Sequence, residues 1–266
     1  MQPILGVMKR LLVALPFAAA LLSAACTSDT EQFAAPEVSG PPEVRLDVVA
    51  DHAEQFDSDL AERPAGSEEE QAAATYLLGT LQQNGYFVRL ESVPVADLFR
   101  STNLIAQPAG GDEPETVVVV PYGTGEGIAP NGTEVGLFLE LARALNVRDP
   151  DHKVWFVAVG AEYSEEGGGN LGSRRLARFL LDEDEDPLVV QLNLGDEGFK
   201  AYGDLAGEAN AIRRELLGEE GTIETDELMT PQPDVFKEAG FDRLYVVGEP
   251  ELTGEVLLEL LAATPE

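Results

Sequence analysis

Residues 154–194 read VWFVAVGAEYSEEGGGNLGSRRLARFLLDEDEDPLVVQLNL, and three kinds of pattern follow one another in them. The run from Val154 to Val159 is apolar without interruption, as a strand buried on both faces requires. Glu162 stands just past its end. An acidic, glycine-rich turn leads into a helix over 171–182, and a second apolar strand follows at 188–194. A strand, a crossover helix and another strand form a parallel unit, because the connection must carry the chain back along the sheet. In such sheets the ligand crevice lies beyond the carboxyl ends of the strands, which is where Glu162 falls.

The alternation extends in both directions. Upstream, LDVVADHAEQFDSDL predicts a first helix, and SEEEQAAATYLLGTLQQNGY a second. Ser67 is its N-cap, Glu70 closes a capping box, Ala74, Leu77, Leu78 and Leu81 form the apolar stripe, and Gly85 ends it. Strands are expected at YFVRLES, TNLIAQ and TVVVV (116–120), with a helix over 133–145 before the strand at 153–159. Downstream come a helix near 204–217, a short helix at DVFKEAG, the strand RLYVV and a last helix over 251–263. Continuous apolar strands separated by amphipathic helices predict an α/β fold, a mostly parallel twisted sheet with helices on both faces.

With 266 residues, 44% of them hydrophobic, the chain can bury a substantial core. Its charge is unusual. There are 17 basic and 49 acidic residues, a formal net charge of −32, which makes nucleic acid and anionic membrane surfaces poor partners.

The amino terminus carries Lys9 and Arg10, then the apolar run LLVALPFAAALLSAA, then Cys26. That pattern reads as a signal peptide over residues 1–25, too short and too interrupted by Pro16 to span a bilayer. Cys26 is the only cysteine, so disulfides within the chain and thiolate metal sites are excluded. Its position resembles that of the acylated cysteine of bacterial lipoproteins, although Ser23 stands where leucine is usual. The expectation is an exported envelope protein, lipid-anchored through Cys26, in the outer membrane if the host has one. Residues 26–44 read as a flexible tether and 45–266 as a single domain.

The order of RPAGS, AAATYLLGTLQQNGYFV, NLIA, VVVV, GLFLELARAL, VWFVAVGAE, LGSRRLARFL and LVVQLNL resembles the co-catalytic zinc aminopeptidases, family twenty-eight of the metallopeptidases, over roughly residues 45 to 245. The resemblance implies a phosphorylase/hydrolase-like aminopeptidase fold. It also implies two zinc ions held at the strand ends by His-x-Asp, an Asp in an Asn-rich loop, Glu-Glu, an Asp after Asn-Leu and a late His, with the first Glu of the pair as general base.

In this chain the His-x-Asp position reads Pro121-Tyr122-Gly123, and neither Asp nor His occurs anywhere from Thr116 to Arg148. The bridging position falls near Pro130-Asn131. The Glu-Glu pair reads Glu162-Tyr163, Gly195 follows Asn193-Leu194, and no histidine follows His152. His52 and His152 lie in a helix and before a strand, and read as surface or capping histidines rather than ligands.

The sequence therefore predicts a member of this type without zinc or another cofactor, a non-catalytic pseudopeptidase in which Glu162 is a vestigial general base. Glu162 has two readings: a carboxylate that hydrogen-bonds the amino group of a peptide or amine ligand, or a strand terminator that caps the following turn. Two alternatives stand beside the pseudopeptidase. One is a metal-dependent hydrolase with a site rebuilt from Glu162, Glu165, Glu166, Asp196 and Glu197; the other is an acidic interaction module with an idle pocket.

Overall fold

A computed structural model describes residues 38–96, 98–110, 113–125, 127–149, 151–194, 198–218 and 234–263. Cys26 and the expected signal peptide lie outside the described residues. The elements in chain order are α1 (Leu46–Glu54), α2 (Glu68–Gln83), β1 (Phe87–Pro94), β2 (Arg100–Gln107), β3 (Thr116–Pro121), α3 (Gly132–Arg148), β4 (Val154–Val159), α4 (Leu171–Asp182), β5 (Leu188–Leu194), β6 (Phe199–Gly203), α5 (Ala206–Leu217), α6 (Val235–Ala239), β7 (Arg243–Gly248) and α7 (Pro250–Ala262). A π-turn, Gln55–Asp59, extends α1, and a short 3-10 turn, Glu166–Gly168, precedes α4.

The strands form one seven-stranded sheet in the order β1-β2-β4-β3-β5-β7-β6. Its central strands β4, β3, β5 and β7 are mutually parallel, while β1, β2 and β6 run antiparallel at the edges. The apolar run of β3 explains itself here. Val118 and Val120 enter one core and Val117 and Val119 the other, because successive side chains point to opposite faces. In β4, Phe156 and Ala158 likewise separate from Trp155, Val157 and Val159. One face packs against α1, α2, α3, α5 and α7, the other against α4 and α6, so helices cover both faces as expected.

The sequence reading missed β6. Its five residues alternate, with Phe199 and Ala201 buried, but it is short and carries Lys200 and Gly203. The stripe of α2 is also shifted: Ala73, Leu77 and Leu81 are buried, whereas Ala74 and Leu78 pack at the margin. Ser67 does cap α2, accepting from the Glu70 amide at 3.0 Å. The box does not close. The Ser67 amide already donates to the Pro64 carbonyl, and Glu70 instead reaches the Gly66 amide at 2.6 Å.

Helix α3 is buried along most of its length, with α1 and α7 packed beside it. Its buried Glu140 accepts from Arg45 Nε at 2.7 Å and from Arg143 Nη2 at 2.7 Å. Burial pushes the Glu140 carboxyl up, but the two guanidinium groups outweigh it and hold the group below its ordinary value. Arg143 also donates to the Pro41 and Glu43 carbonyls, so the end of the expected tether is tied to α3 from Pro41 onward. Among the described residues no helix is long and apolar enough to cross a membrane.

Candidate functional site

The carboxyl ends of β3, β4 and β5 open into a cleft of about 210 Å³ beside the first turns of α3 and α4. The turn after β4 builds its floor. Gly160 packs against the start of α4 so closely that a Cβ at Gly172 would lie 2.2 Å from the Gly160 carbonyl oxygen. Ala161 then adopts a left-handed backbone, φ +55°, which is uncommon for a residue with a Cβ. Glu70 holds it there: its Oε1 accepts from the Ala161 amide at 2.9 Å while its Oε2 accepts from Gly66.

This bend turns Glu162 toward the cleft, and its Oε1 accepts from the Ser173 amide in the first turn of α4 at 2.6 Å. The Glu162 carbonyl accepts from the Asn170 amide at 2.7 Å, which closes the glycine-rich turn on itself. Glu162 thus caps a helix and lines the cleft at once, so both sequence readings describe part of its environment. Burial pushes its carboxyl up to about 7, against the opposing pull of the Ser173 hydrogen bonds and the Arg174 charge.

The turn after β3 forms the opposite wall. Tyr122 is buried and donates its hydroxyl to the Thr102 carbonyl at 2.7 Å, leaving Pro121 on the cleft. Asn131 donates to the Pro121 and Gly123 carbonyls and accepts from Arg63 Nη2. Arg63 is fully buried. Its guanidinium also donates to the Tyr122 carbonyl at 2.7 Å, to the Phe56 carbonyl at 2.5 Å and to the Leu60 carbonyl, and lies 4.9 Å from the Phe56 ring centre.

Glu134, which sequence reasoning passed over, lies in the first turn of α3 and lines the cleft. Burial raises its carboxyl above the ordinary value, while its own amide and that of Leu194 hydrogen-bond it and the Asp57 charge raises it further. The signal available in the sequence was its place three residues after Asn131, at a helix start that follows a strand. Asp234 and Tyr245 complete the rim; Asp234 is paired with Arg243 Nε at 2.6 Å, and Tyr245 accepts from Asn193.

Of the positions that matter in the family resemblance, Pro121, Asn131, Glu162, Tyr163 and Asn193 all line this one cleft. Gly195, Asp196 and Glu197 lie outside the described residues. Glu165 is exposed, and neither it nor Glu166 is among the lining residues. The Tyr163 phenol is pushed up to about 12 by burial and by the neighbouring Glu162, Glu134 and Tyr245.

His152 is buried rather than at the surface, at the amino end of β4 and so at the end of the strand away from the cleft. Its Nδ1 accepts from the Val154 amide at 3.1 Å, so the ring proton sits on Nε2, which donates to the Tyr86 oxygen at 3.1 Å. His52 Nδ1 pairs with the Tyr76 hydroxyl at 2.7 Å. No imidazole lines the cleft, and among the described residues no group of three or more His, Cys, Asp or Glu is placed to hold a metal ion.

Residues 103–216 match the model of Peptidase family M28. No curated protein matches the sequence. Solved structures of the same fold include a candidate Zn-dependent exopeptidase of Bacteroides vulgatus, 18% identical, with a TM-score of 0.69 over 86% of this chain and 100% of that one. A leucine aminopeptidase precursor of Bacteroides thetaiotaomicron is 16% identical, TM-score 0.68, over 86% of this chain and 100% of that one. The glutaminyl cyclase of Porphyromonas gingivalis is 18% identical, TM-score 0.65, over 82% and 98%. Residues 103–216 thus carry the sequence pattern of peptidase family M28, within a chain that has the α/β fold of aminopeptidase-like structures.

Proposed function

We propose that this protein is an exported, lipid-anchored, non-catalytic relative of the zinc aminopeptidases, whose cleft binds an amine-bearing ligand. The observation that carries the reading is the chemistry of the lining. Zinc at neutral pH takes imidazole and carboxylate ligands, and a zinc pair needs a carboxylate bridge. Here no imidazole is offered, Glu162 and Glu134 accept from backbone amides, and Asp234 is paired with Arg243. The donor set does not fit two zinc ions, and no step is routed through them.

Glu162 alone would face an ordinary water. General-base help is worth roughly a hundredfold to ten-thousandfold, far short of what amide hydrolysis requires. What the cleft can do is bind. Its lining contains Glu134, Glu162 and Asp234 but no Lys, Arg or His among the described residues, so an ammonium group is favoured over a carboxylate or phosphate.

Hydrolysis of aminoacyl-anilides should be undetectable with or without added zinc, manganese or cobalt, and purified protein should contain no stoichiometric metal. Turnover that is lost in Glu162→Gln would instead establish a hydrolase rebuilt on carboxylates.

Attachment through Cys26 has its own measurement. Cys26→Ser should leave the membrane fraction and fail to label with a palmitate analogue; equal retention of the variant would rule out that anchor.

A further inference from the structure

We propose that the cleft takes a linear aliphatic diamine, one ammonium group at Glu162 and the other at Glu134, with the methylene chain along the apolar wall. The inference rests on the amine-binding reading above and adds the second charge and the shape of the ligand.

The two carboxylates stand on different elements. Glu162 is fixed at the end of β4 by the Ser173 amide, and Glu134 in the first turn of α3 is hydrogen-bonded by the Leu194 amide at the end of β5. Val119, Val159, Leu192 and Val235 line the same cleft and offer an uncharged surface to methylene groups. Tyr163 registers both carboxylates, since the negative charges of Glu162 and Glu134 add to burial in raising its phenol. The third carboxylate is already satisfied, Asp234 being held by Arg243.

The physical reason for two ammonium groups is the cost of leaving a desolvated carboxylate without a counter-charge. With no ligand, burial favours the protonated forms of Glu162 and Glu134. A monoamine compensates one of them and leaves the other as it was. A diamine compensates both, and its flexible chain needs only the apolar wall between. Anions find no partner, and a ligand carrying a carboxylate next to its amine would bring a negative charge against a negative wall.

Titration calorimetry at low and moderate salt can compare diaminobutane with butylamine on the full chain. A second charge-assisted hydrogen bond is worth roughly a tenfold to hundredfold gain in affinity, and the diamine should show it at one site per chain. Glu134→Gln, which keeps an acceptor for the Leu194 amide, should remove the diamine's advantage. Glu208→Gln, on the exposed surface of α5, should alter neither affinity.

Equal affinities for the two amines in the unaltered protein would overturn the proposal while leaving amine binding intact; this comparison does not depend on any variant folding. Binding of neither amine would overturn the amine reading as well. Adsorption at many sites, unaffected by Glu162→Gln and abolished by salt, would be attraction to a surface of net charge −32 and would likewise overturn it.

Discussion

Arg63→Ala is expected to lower stability by about 4 kcal/mol, roughly 10 °C in melting temperature for a domain of this size. The guanidinium is fully buried and has no carboxylate in direct contact. Its donors go to the carbonyls of Phe56, Leu60 and Tyr122 and to the Asn131 amide oxygen. Burial lowers its pKa to about 10, opposed by the Asp57 charge, so it stays protonated at neutral pH. Removing it strands several acceptors in the interior, and the desolvation penalty of each is then uncompensated.

Because two of those acceptors belong to the turn between β3 and α3, the wall of the cleft should loosen with the fold. Arg63→Lys should recover little, since an ammonium cannot reproduce a planar fork that serves backbone groups on both sides. Thermal and urea unfolding are the measurements. A loss below about 1 kcal/mol in Arg63→Ala would mean that the acceptors find water, and that the fork does not hold the turn.

The second large effect concerns pH, where two buried groups act in opposite directions. Glu162 has its folded-state pKa raised from 4.5 to about 7. A raised carboxyl favours the folded state below pH 4.5, and that advantage is lost as the pH rises toward 7. His152 is lowered from 6.5 to about 4, mainly by burial. Its advantage is present above pH 6.5 and is lost as the pH falls toward 4. Each change amounts to about 3 kcal/mol, so between pH 4.5 and 6.5 the two nearly cancel.

Glu162→Gln keeps the acceptor for Ser173 but removes the titration. The variant should match the unaltered protein near pH 4.5 and exceed it by about 3 kcal/mol above pH 7, its own stability now falling with acid because His152 is no longer offset. The difference between the two urea-unfolding profiles isolates Glu162, whatever other groups titrate. A difference that is constant across this range would show that the carboxyl is not desolvated. An excess of the expected size would mean that the chain keeps an ionisable group at the strand end at a cost in stability, which is how groups that serve a ligand behave.

Much of the architecture could be read from local pattern. The valines of β3, the apolar run of β4 and the Ser67 cap each state their environment within a few residues, because side-chain direction alternates with a fixed period and caps act over one turn. Glu162 was legible for the same reason, as a carboxylate placed just beyond a buried strand. The short edge strand β6 was not, since its burial pattern spans five residues interrupted by Lys200 and a glycine end.

What only the tertiary structure decided is which distant groups meet. Glu70 looks like half of a capping box, and its partner turns out to be the Ala161 amide, 91 residues away. Arg63 looks like a surface arginine in a polar loop, and it is the fully buried fork under the cleft. Glu134 looks like one acid among many, and the end of β5 brings it into the lining beside Tyr163. Sequence fixes the period at which each segment buries its side chains, because that is a property of a few neighbouring residues. The partner of a buried charge depends on how segments far apart in the chain are stacked, and its electrostatic cost exists only once water has been removed from around it.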